Sequence, residues 1–399
     1  MCVLCCAKRT CFREVGSMKK HWIVTEEPMG GYTWTNIGRL LWQNKFRIHL
    51  KYVPRFLYGI GLSTLFLPLR LWEGLTTEGK IQNTVPQHDP IFIIGYYRSG
   101  TTYLITLFSK DPSRGYVSNV EGYLPATFLG SPRITRWLIS ASLPEQRPMD
   151  NVVMTANEPT EDEYSIGAYE KYGIYNGFIF PRNFKLYSRY NSFDGLPDDL
   201  ERWKKRWSWF NKKMAIQYDG KQMVYKNPTA TFRIRHLLEM YPQAKFVHIY
   251  RNPYHVFSSN VKFHSEVFEI YALQTWDENE MQKTILENYR EMYEKFDRDR
   301  PLIPEHSLVE VKYEDFIREP MEHMQRIYAT LQLDGYDRAE PFFQEYVESQ
   351  KDYQANRHVL SSDFVQKVNA YWGHIVDRFG YPRIDPATAP QEGWVETPA

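Results

Sequence analysis

The chain is expected to fold as an α/β protein: a parallel β-sheet flanked by helices, with a helical extension at the N-terminus. Three observations predict this. Short apolar, β-branched runs such as Ile91-Phe92-Ile93-Ile94 and Phe246-Val247-His248-Ile249 read as strands buried on both faces. Each leads through a turn into a stretch with helical spacing, the alternation of a sheet wound with crossover helices. And 399 residues, 43% hydrophobic and 24% charged, can bury a large core in one large or two ordinary domains.

The elements follow in order. Residues 18–85 read as helices. Within them, residues 56–69 (FLYGIGLSTLFLPL) form an apolar run shorter than the roughly 20 residues that span a bilayer. Arg47, Lys51, Arg55 and Arg70 flank it. Two readings stand: a helix buried on the main body, or an interfacial helix touching a membrane surface through residues 47–75. The body begins near Val85. Residues 90–94 form a strand ending in Gly95, and helical spacing runs from 99 to 110. Residues 115–119 read as a second strand. Residues 164–215 are irregular and rich in rings, with a helix over 198–213. Residues 223–226 end a third strand, and 229–241 carry helical spacing. Residues 244–250 form a fourth strand, and a helix opens at Pro253, where proline suits the first helical position. Residues 277–295 make a long polar amphipathic helix, and 307–311 a last strand. Residues 363–379 form a terminal helix closed by Gly380. The chain thus divides into an extension (1–84), an α/β body (85–385) and a tail (386–399).

Composition narrows the partners. A formal charge of +1 gives no overall footprint for nucleic acid, so any anion site must be built locally. All four cysteines, Cys2, Cys5, Cys6 and Cys11, precede the body, so the body holds no disulfide. The Cys5–Cys6 adjacency fits tetrahedral zinc poorly, and palmitoylation is a weak reading. The segment before Met18 is expected to be an extended start, since Met18-Lys19-Lys20 would open a cytosolic chain. No signal-peptide core is present, and the expected location is the cytoplasm, peripheral on a membrane if the apolar run is interfacial.

Residues 91–102 read IFIIGYYRSGTT, a strand feeding a Gly-bounded loop that opens a helix. Such a loop turns several backbone N–H groups and the positive helix end toward one anion. Gly95 and Gly100 allow tight turns, Ser99, Thr101 and Thr102 add hydroxyls, and Arg98 supplies a cation. The two glycines have Walker A spacing, but Thr101 stands where that loop needs lysine, which disfavours ATP chemistry. A second strand–turn–helix, residues 246–259 (FVHIYRNPYHVFSS), places Arg251 at a strand end and Ser259 eight residues on. A guanidinium forks onto phosphate oxygens and a hydroxyl adds a donor.

With Arg98-Ser99-Gly100-Thr101-Thr102 and the Arg251…Ser259 pair in this order, the sequence resembles the sulfotransferases that use 3′-phosphoadenosine-5′-phosphosulfate (PAPS), and is most similar to their bacterial-type branch. The resemblance covers residues 85 to the terminal helix. It implies a P-loop-like nucleotide-binding fold and transfer of a sulfuryl group to an acceptor hydroxyl, with PAP (3′-phosphoadenosine-5′-phosphate) as product. In that family the first motif holds the 5′-phosphosulfate and the second the 3′-phosphate. The resemblance further implies that Tyr103 stacks on adenine and that Lys226, in Val224-Tyr225-Lys226-Asn227-Pro228, reaches the sulfuryl group. Arg357 stands where relatives bring a basic residue to the nucleotide, although their Arg-Lys-Gly triplet is absent. The family's general base is a histidine or a glutamate. Glu121 is the first candidate, and the acidic run Glu158-Pro159-Thr160-Glu161-Asp162-Glu163 supplies Glu163 or Glu161 as the second. His248 is expected in the core and His236 and His255 on helix surfaces. No cluster with metal-ligand spacing stands out, and the arrangement requires no metal.

The rings between Tyr164 and Phe210 are core in part and could wall an acceptor pocket. They suit a sterol, lipid or phenol, and a sugar remains an alternative. A small-molecule kinase and an inactive nucleotide-binding scaffold are the competing functions. The oligomeric state is open.

Overall fold

The computed structural model describes residues 28–143, 155–351 and 360–389. Five parallel strands form one sheet in the order β2-β3-β1-β4-β5: β1 Ile91–Ile94, β2 Arg114–Tyr116, β3 Gln222–Lys226, β4 Lys245–Tyr250 and β5 Leu308–Lys312. The central strand β1 pairs Ile93 with Lys226 of β3 and Phe92 with Phe246 of β4. From β1 the chain winds to one side, and from β4 to the other. The crevice beyond the carboxyl ends of β1 and β4 is therefore the switch point where open α/β sheets bind ligands.

Both faces of the sheet are covered, which is why its strands read as unbroken apolar runs. Phe92 and Ile94 face a core with Trp207, Phe246, Phe257 and Trp372. Ile91 and Ile93 face a second core with Leu104, Phe108, Phe316 and Phe343. Phe92 stacks between Tyr225 and Phe246 at 5.9 and 5.6 Å.

The helix expected over 198–213 is present as Pro197–Gln217, but the segment before it, expected to be irregular, is helical too: Asp162–Tyr169, Tyr175–Ile179 and Phe184–Ser192. These three are too short for a 3.6-residue period to show. They are wedged into the core, so rings point from several sides rather than one stripe. The apolar run 56–69 is not one helix. Val53–Leu65 ends at Phe66, and Leu67–Asn83 restarts with proline in its first turn. Arg55, fully buried, donates to the carbonyl oxygens of Glu269 and Ala272 at 2.7 and 2.8 Å. It thereby satisfies carbonyls at the negative end of helix Pro253–Tyr271. The terminal helix Ser362–Arg378 is capped by Ser361 and, as its sequence predicts, followed by Gly380, at φ 70°.

Candidate active site

The loop after β1 is held from two sides. Gly95 N–H donates to Thr231 Oγ1 at 2.9 Å, and Asn260 Nδ2 donates to the Tyr97 carbonyl at 2.9 Å. Gly95 at φ 136° and Gly100 at φ 95° take backbone conformations that suit glycine. A Cβ on Gly95 would lie 2.2 Å from the Ile249 carbonyl, and one on Gly100 2.2 Å from the Tyr313 ring. Arg98 itself sits at φ 70°, an unusual conformation for a non-glycine residue. Gly100 precedes helix Thr101–Ser109 and offers no side chain to cap it. The first N–H groups of that helix, at Thr101, Thr102 and Tyr103, therefore suit an anion. Ser99 Oγ is buried with no hydrogen-bond partner among the described residues, a hydroxyl that a bound anion would satisfy.

The second motif closes on the first. Arg98 Nε donates to Ser259 Oγ at 3.0 Å, and Arg251 donates to the Arg98 carbonyl at 3.4 Å. Arg98, Arg251 and Ser259 thus gather at the switch point. Two residues of the strand–helix junction 311–316 position Arg251. Tyr313, directly after β5, lies under its guanidinium at 4.4 Å. Glu314 accepts from the Asn252 N–H at 3.0 Å and from Tyr381 OH at 2.6 Å, fixing the turn that carries Arg251. Tyr103 is half-buried and packs against Phe316 at 5.4 Å and Tyr346 at 6.0 Å, on the β5 side of the loop. Arg357 lies outside the described residues.

At the end of β3, Lys226 Nζ is 2.5 Å from Glu161 Oε1, both buried. The other Glu161 oxygen accepts from Tyr175 OH at 2.5 Å. Tyr175 stacks on Tyr164 at 3.8 Å, and Tyr164 lies 5.0 Å from Tyr123. Burial pushes the Tyr175 and Tyr164 hydroxyls well above the ordinary phenol range, and the Glu161 charge adds to this.

The other two carboxylates sit elsewhere. Glu163 is fully buried and receives the Arg233 fork at 3.0 and 3.3 Å, Asn227 Nδ2 at 2.9 Å, Thr229 Oγ1 at 3.0 Å and the Ile174 N–H at 3.2 Å. An ionised carboxylate has about four acceptor positions, so Glu163 is saturated. Glu121 is the third residue of helix Asn119–Tyr123 and forms a capping box with Ser118, whose N–H donates to it at 2.9 Å. Gln217 Nε2 reaches its other oxygen at 3.3 Å. Burial raises the Glu121 carboxyl above the usual carboxylate range, and the Ser118 bonds oppose this. The expected strand over 115–119 stops at Tyr116 because Ser118 already caps this helix.

Neither His248, bonded to Glu310 at 3.1 Å, nor His236 stands among the residues gathered at the switch point. His255, expected on a surface, is buried, because its helix packs against the terminal helix and against helix Glu278–Asp299. Part of the ring-rich segment is plain core: Trp203 and Trp207 line a cavity with Phe92 and Arg233 too small for water. Tyr164 and Tyr175, by contrast, adjoin the Glu161–Lys226 pair. Among the described residues no group of three or more His, Cys, Asp or Glu side chains gathers as a metal site would.

This fold, with Arg98, Arg251 and Ser259 gathered at its switch point, defines a class, and comparison with known proteins gives it a name. The sulfotransferase family profile matches residues 90–338. The chain belongs to the sulfotransferase family, of bacterial type, and is a sulfuryl-transferring enzyme. It is 32% identical over 355 residues to the omega-hydroxy-beta-dihydromenaquinone-9 sulfotransferase Stf3 of Mycobacterium bovis and of Mycobacterium tuberculosis, covering 88% of this chain and 90% of each relative. Among solved structures, sulfotransferase STF9 from Mycobacterium avium matches with TM-score 0.66 at 16% identity, over 89% of this chain and 98% of that one. Sulfotransferase STF1 from Mycobacterium tuberculosis matches with TM-score 0.57 at 17% identity, over 89% and 93%. At these identities the structural likeness speaks for the fold alone.

Proposed function

We propose that this enzyme takes PAPS as its donor and transfers the sulfuryl group to the hydroxyl of a hydrophobic acceptor. One observation carries the donor assignment: Arg98, Arg251 and Ser259 meet within hydrogen-bond reach at the β1/β4 switch point. A nucleotide with phosphate groups at both its 5′ and 3′ positions uses both grips, and one lacking the 3′-phosphate leaves Arg251 and Ser259 without an anion. In this reading the 5′-phosphosulfate lies on Arg98, Ser99, Gly100, Thr101 and Thr102, the adenine meets Tyr103, and Arg357 joins the nucleotide from the C-terminal side. A kinase would need the lysine that Thr101 replaces.

The reaction moves SO3 from the donor's bridging oxygen to the acceptor oxygen. The S–O bond to PAP breaks, the new S–O bond forms, and the acceptor proton leaves to a base. Arg98 and the loop amides take up the charge that grows on the departing 5′-phosphate. Glu161 is assigned as the base. It is the glutamate in contact with Lys226, whereas Glu163 is saturated by Arg233 and its neighbours and Glu121 is engaged by Ser118. When the donor binds, the Lys226 ammonium turns to the sulfuryl oxygens and frees Glu161 Oε1 for the acceptor proton. Glu121 and Glu163 are assigned positioning roles, in place of the base role expected from the sequence.

The relative Stf3 is named for a menaquinone-derived lipid carrying a hydroxyl. The rings of Tyr123, Tyr164 and Tyr175 beside Glu161 give an apolar wall that suits such an acceptor. Melting curves with PAP, AMP and ATP–Mg test the donor: PAP should raise the melting temperature most, since a ligand of the native state stabilises it. Labelled PAPS offered with ω-hydroxylated prenyl lipids, sterols, phenols and sugars tests the acceptor. Equal stabilisation by AMP and PAP, or transfer to sugars alone, overturns the corresponding half.

A further inference from the structure

We propose that the N-terminal helix pair is a docking face for an anionic lipid bilayer, and that the acceptor reaches Glu161 from that side. The second half rests on the lipid-acceptor reading above; the docking itself does not.

The two helices are partly turned inside out. Val53–Leu65 buries Arg55, Gly59 and Ser63, and Leu67–Asn83 buries Glu73 and Ile81. Glu73 is held by Lys213 at 2.5 Å and by the Leu129 and Gly130 N–H groups at 2.7 and 2.9 Å. Phe56, Ile60 and Leu62 pack against the core, but other apolar side chains face outward: Leu57 is 60% exposed, Leu65 66%, Leu71 58%, Trp72 56% and Leu75 86%. A helix packed on its own protein shows the reverse pattern, and a contiguous exposed apolar face marks an interaction site. Trp72 Nε1 donates to the Gly130 carbonyl at 3.1 Å. Two residues on begins helix Pro132–Ser142, which exposes Trp137.

Charge selects the occupant. Between Pro28 and Trp72 the chain has six basic residues and no acidic one, in a protein of net charge +1; Arg55 and Arg70 are engaged by oxygens within the fold and Arg39 by Glu170. Lys45, Arg47 and Lys51 are exposed. A two-fold pairing of this face with a second copy would set like charges against each other, whereas an anionic headgroup layer complements them. No helix among the described residues is long and apolar enough to cross a membrane, so the geometry is that of a face lying on the surface.

The same segment roofs the site. The turn Pro28–Gly31 packs under helix Val53–Leu65, and a Cβ on Gly30 would lie 3.1 Å from Leu62. A Cβ on Gly31 would collide with the Tyr123 carbonyl at 1.8 Å. From Tyr123 the contacts run through Tyr164 and Tyr175 to Glu161. A lipid leaving the bilayer here meets the aromatic wall without passing through water.

Flotation of the full chain with vesicles tests the docking. Wild type should co-float with phosphatidylcholine–phosphatidylglycerol vesicles and lose most of that binding in high salt. Leu71→Glu with Leu75→Glu, and separately Lys45→Glu with Lys51→Glu, should each lower partition by about tenfold or more. The melting shift with PAP, unchanged in both variants, reports that they fold. Wild type left at the bottom of the gradient overturns the proposal, as does co-flotation of the leucine variant at the wild-type level. A wild-type dimer that the leucine changes convert to monomer, with no vesicle binding, overturns it in favour of a self-interface. Docking without any PAPS turnover leaves the bilayer face standing and removes the lipid-acceptor reading; turnover on a lipid acceptor without docking keeps that reading and overturns both the bilayer face and the route from it.

Discussion

Glu161 and Glu163 stand two positions apart and meet different partners. Glu161 touches a lysine and a tyrosine hydroxyl, and Glu163 is locked by an arginine fork. Glu161→Gln should cut turnover by roughly 100-fold or more, the contribution of a positioned base, while PAP still raises the melting temperature as in wild type. Glu121→Gln should change turnover by only a few fold. Glu163→Gln should instead cost about 3 kcal/mol of stability in denaturant melts, because the buried Arg233 loses its counter-charge. If Glu161→Gln turns over normally, the base is elsewhere. Arg251 gives a second test. Its planar fork and its stacking on Tyr313 are not reproduced by an ammonium. Arg251→Lys should weaken PAP about 10- to 100-fold, the range of a hydrogen bond to a charged group, and leave adenosine 5′-phosphosulfate, which lacks the 3′-phosphate, nearly unaffected. Equal losses for both nucleotides would remove the 3′-phosphate from this site. Arg98 and Arg251 were legible because strand–turn–helix motifs place their own cations. Glu161 was not separable from Glu163 by sequence, since only the packing decides which carboxylate of an acidic run meets Lys226.

At the scale of elements, the loop before helix Thr101–Ser109 and the helix Leu67–Asn83 make opposite use of glycine. Gly100→Ala should abolish PAP binding and lower stability by about 1–2 kcal/mol, since its φ of 95° and the Tyr313 ring both exclude a methyl group. Gly74 lies mid-helix with nothing within 4 Å of an added Cβ. Gly74→Ala should therefore raise stability by about 0.5–1 kcal/mol with turnover unchanged, read by urea unfolding and the labelled-PAPS assay. A loss of stability there would mean the exposed face is covered in solution. Strands and long helices could be read because their periods repeat over enough residues. The three short helices between Asp162 and Ser192 could not, being set by tertiary wedging of their rings.

Across the whole molecule, buried ionisable groups make stability depend on pH. His264 is enclosed by Phe178, Phe184 and Phe268, and burial lowers it from 6.5 to about 4, with the Asn260 carbonyl opposing. The folded state resists a proton that the unfolded chain accepts. This contribution is therefore complete above pH 6.5 and is lost as pH falls toward 4, at roughly 1 kcal/mol per pH unit. Other groups act too: burial and the neighbouring Glu163 raise Asp162 to about 7, and burial lowers His255 to about 4. The comparison of wild type with His264→Phe isolates the one ring. The stability gap between them in urea should narrow, or reverse, between pH 7.5 and pH 5. A gap that does not move would mean His264 titrates normally.

The alternation of buried runs with helical periods determined the parallel α/β architecture, and two loop motifs identified an anion-binding enzyme, because strand burial and backbone anion cradles are written in neighbouring residues. Tertiary structure alone decided that Arg98 reaches Ser259, that Glu161 rather than its neighbours meets Lys226, and that the N-terminal helices turn leucines outward. Each of those outcomes depends on contacts between residues far apart in the chain, and for such contacts local pattern carries no geometry.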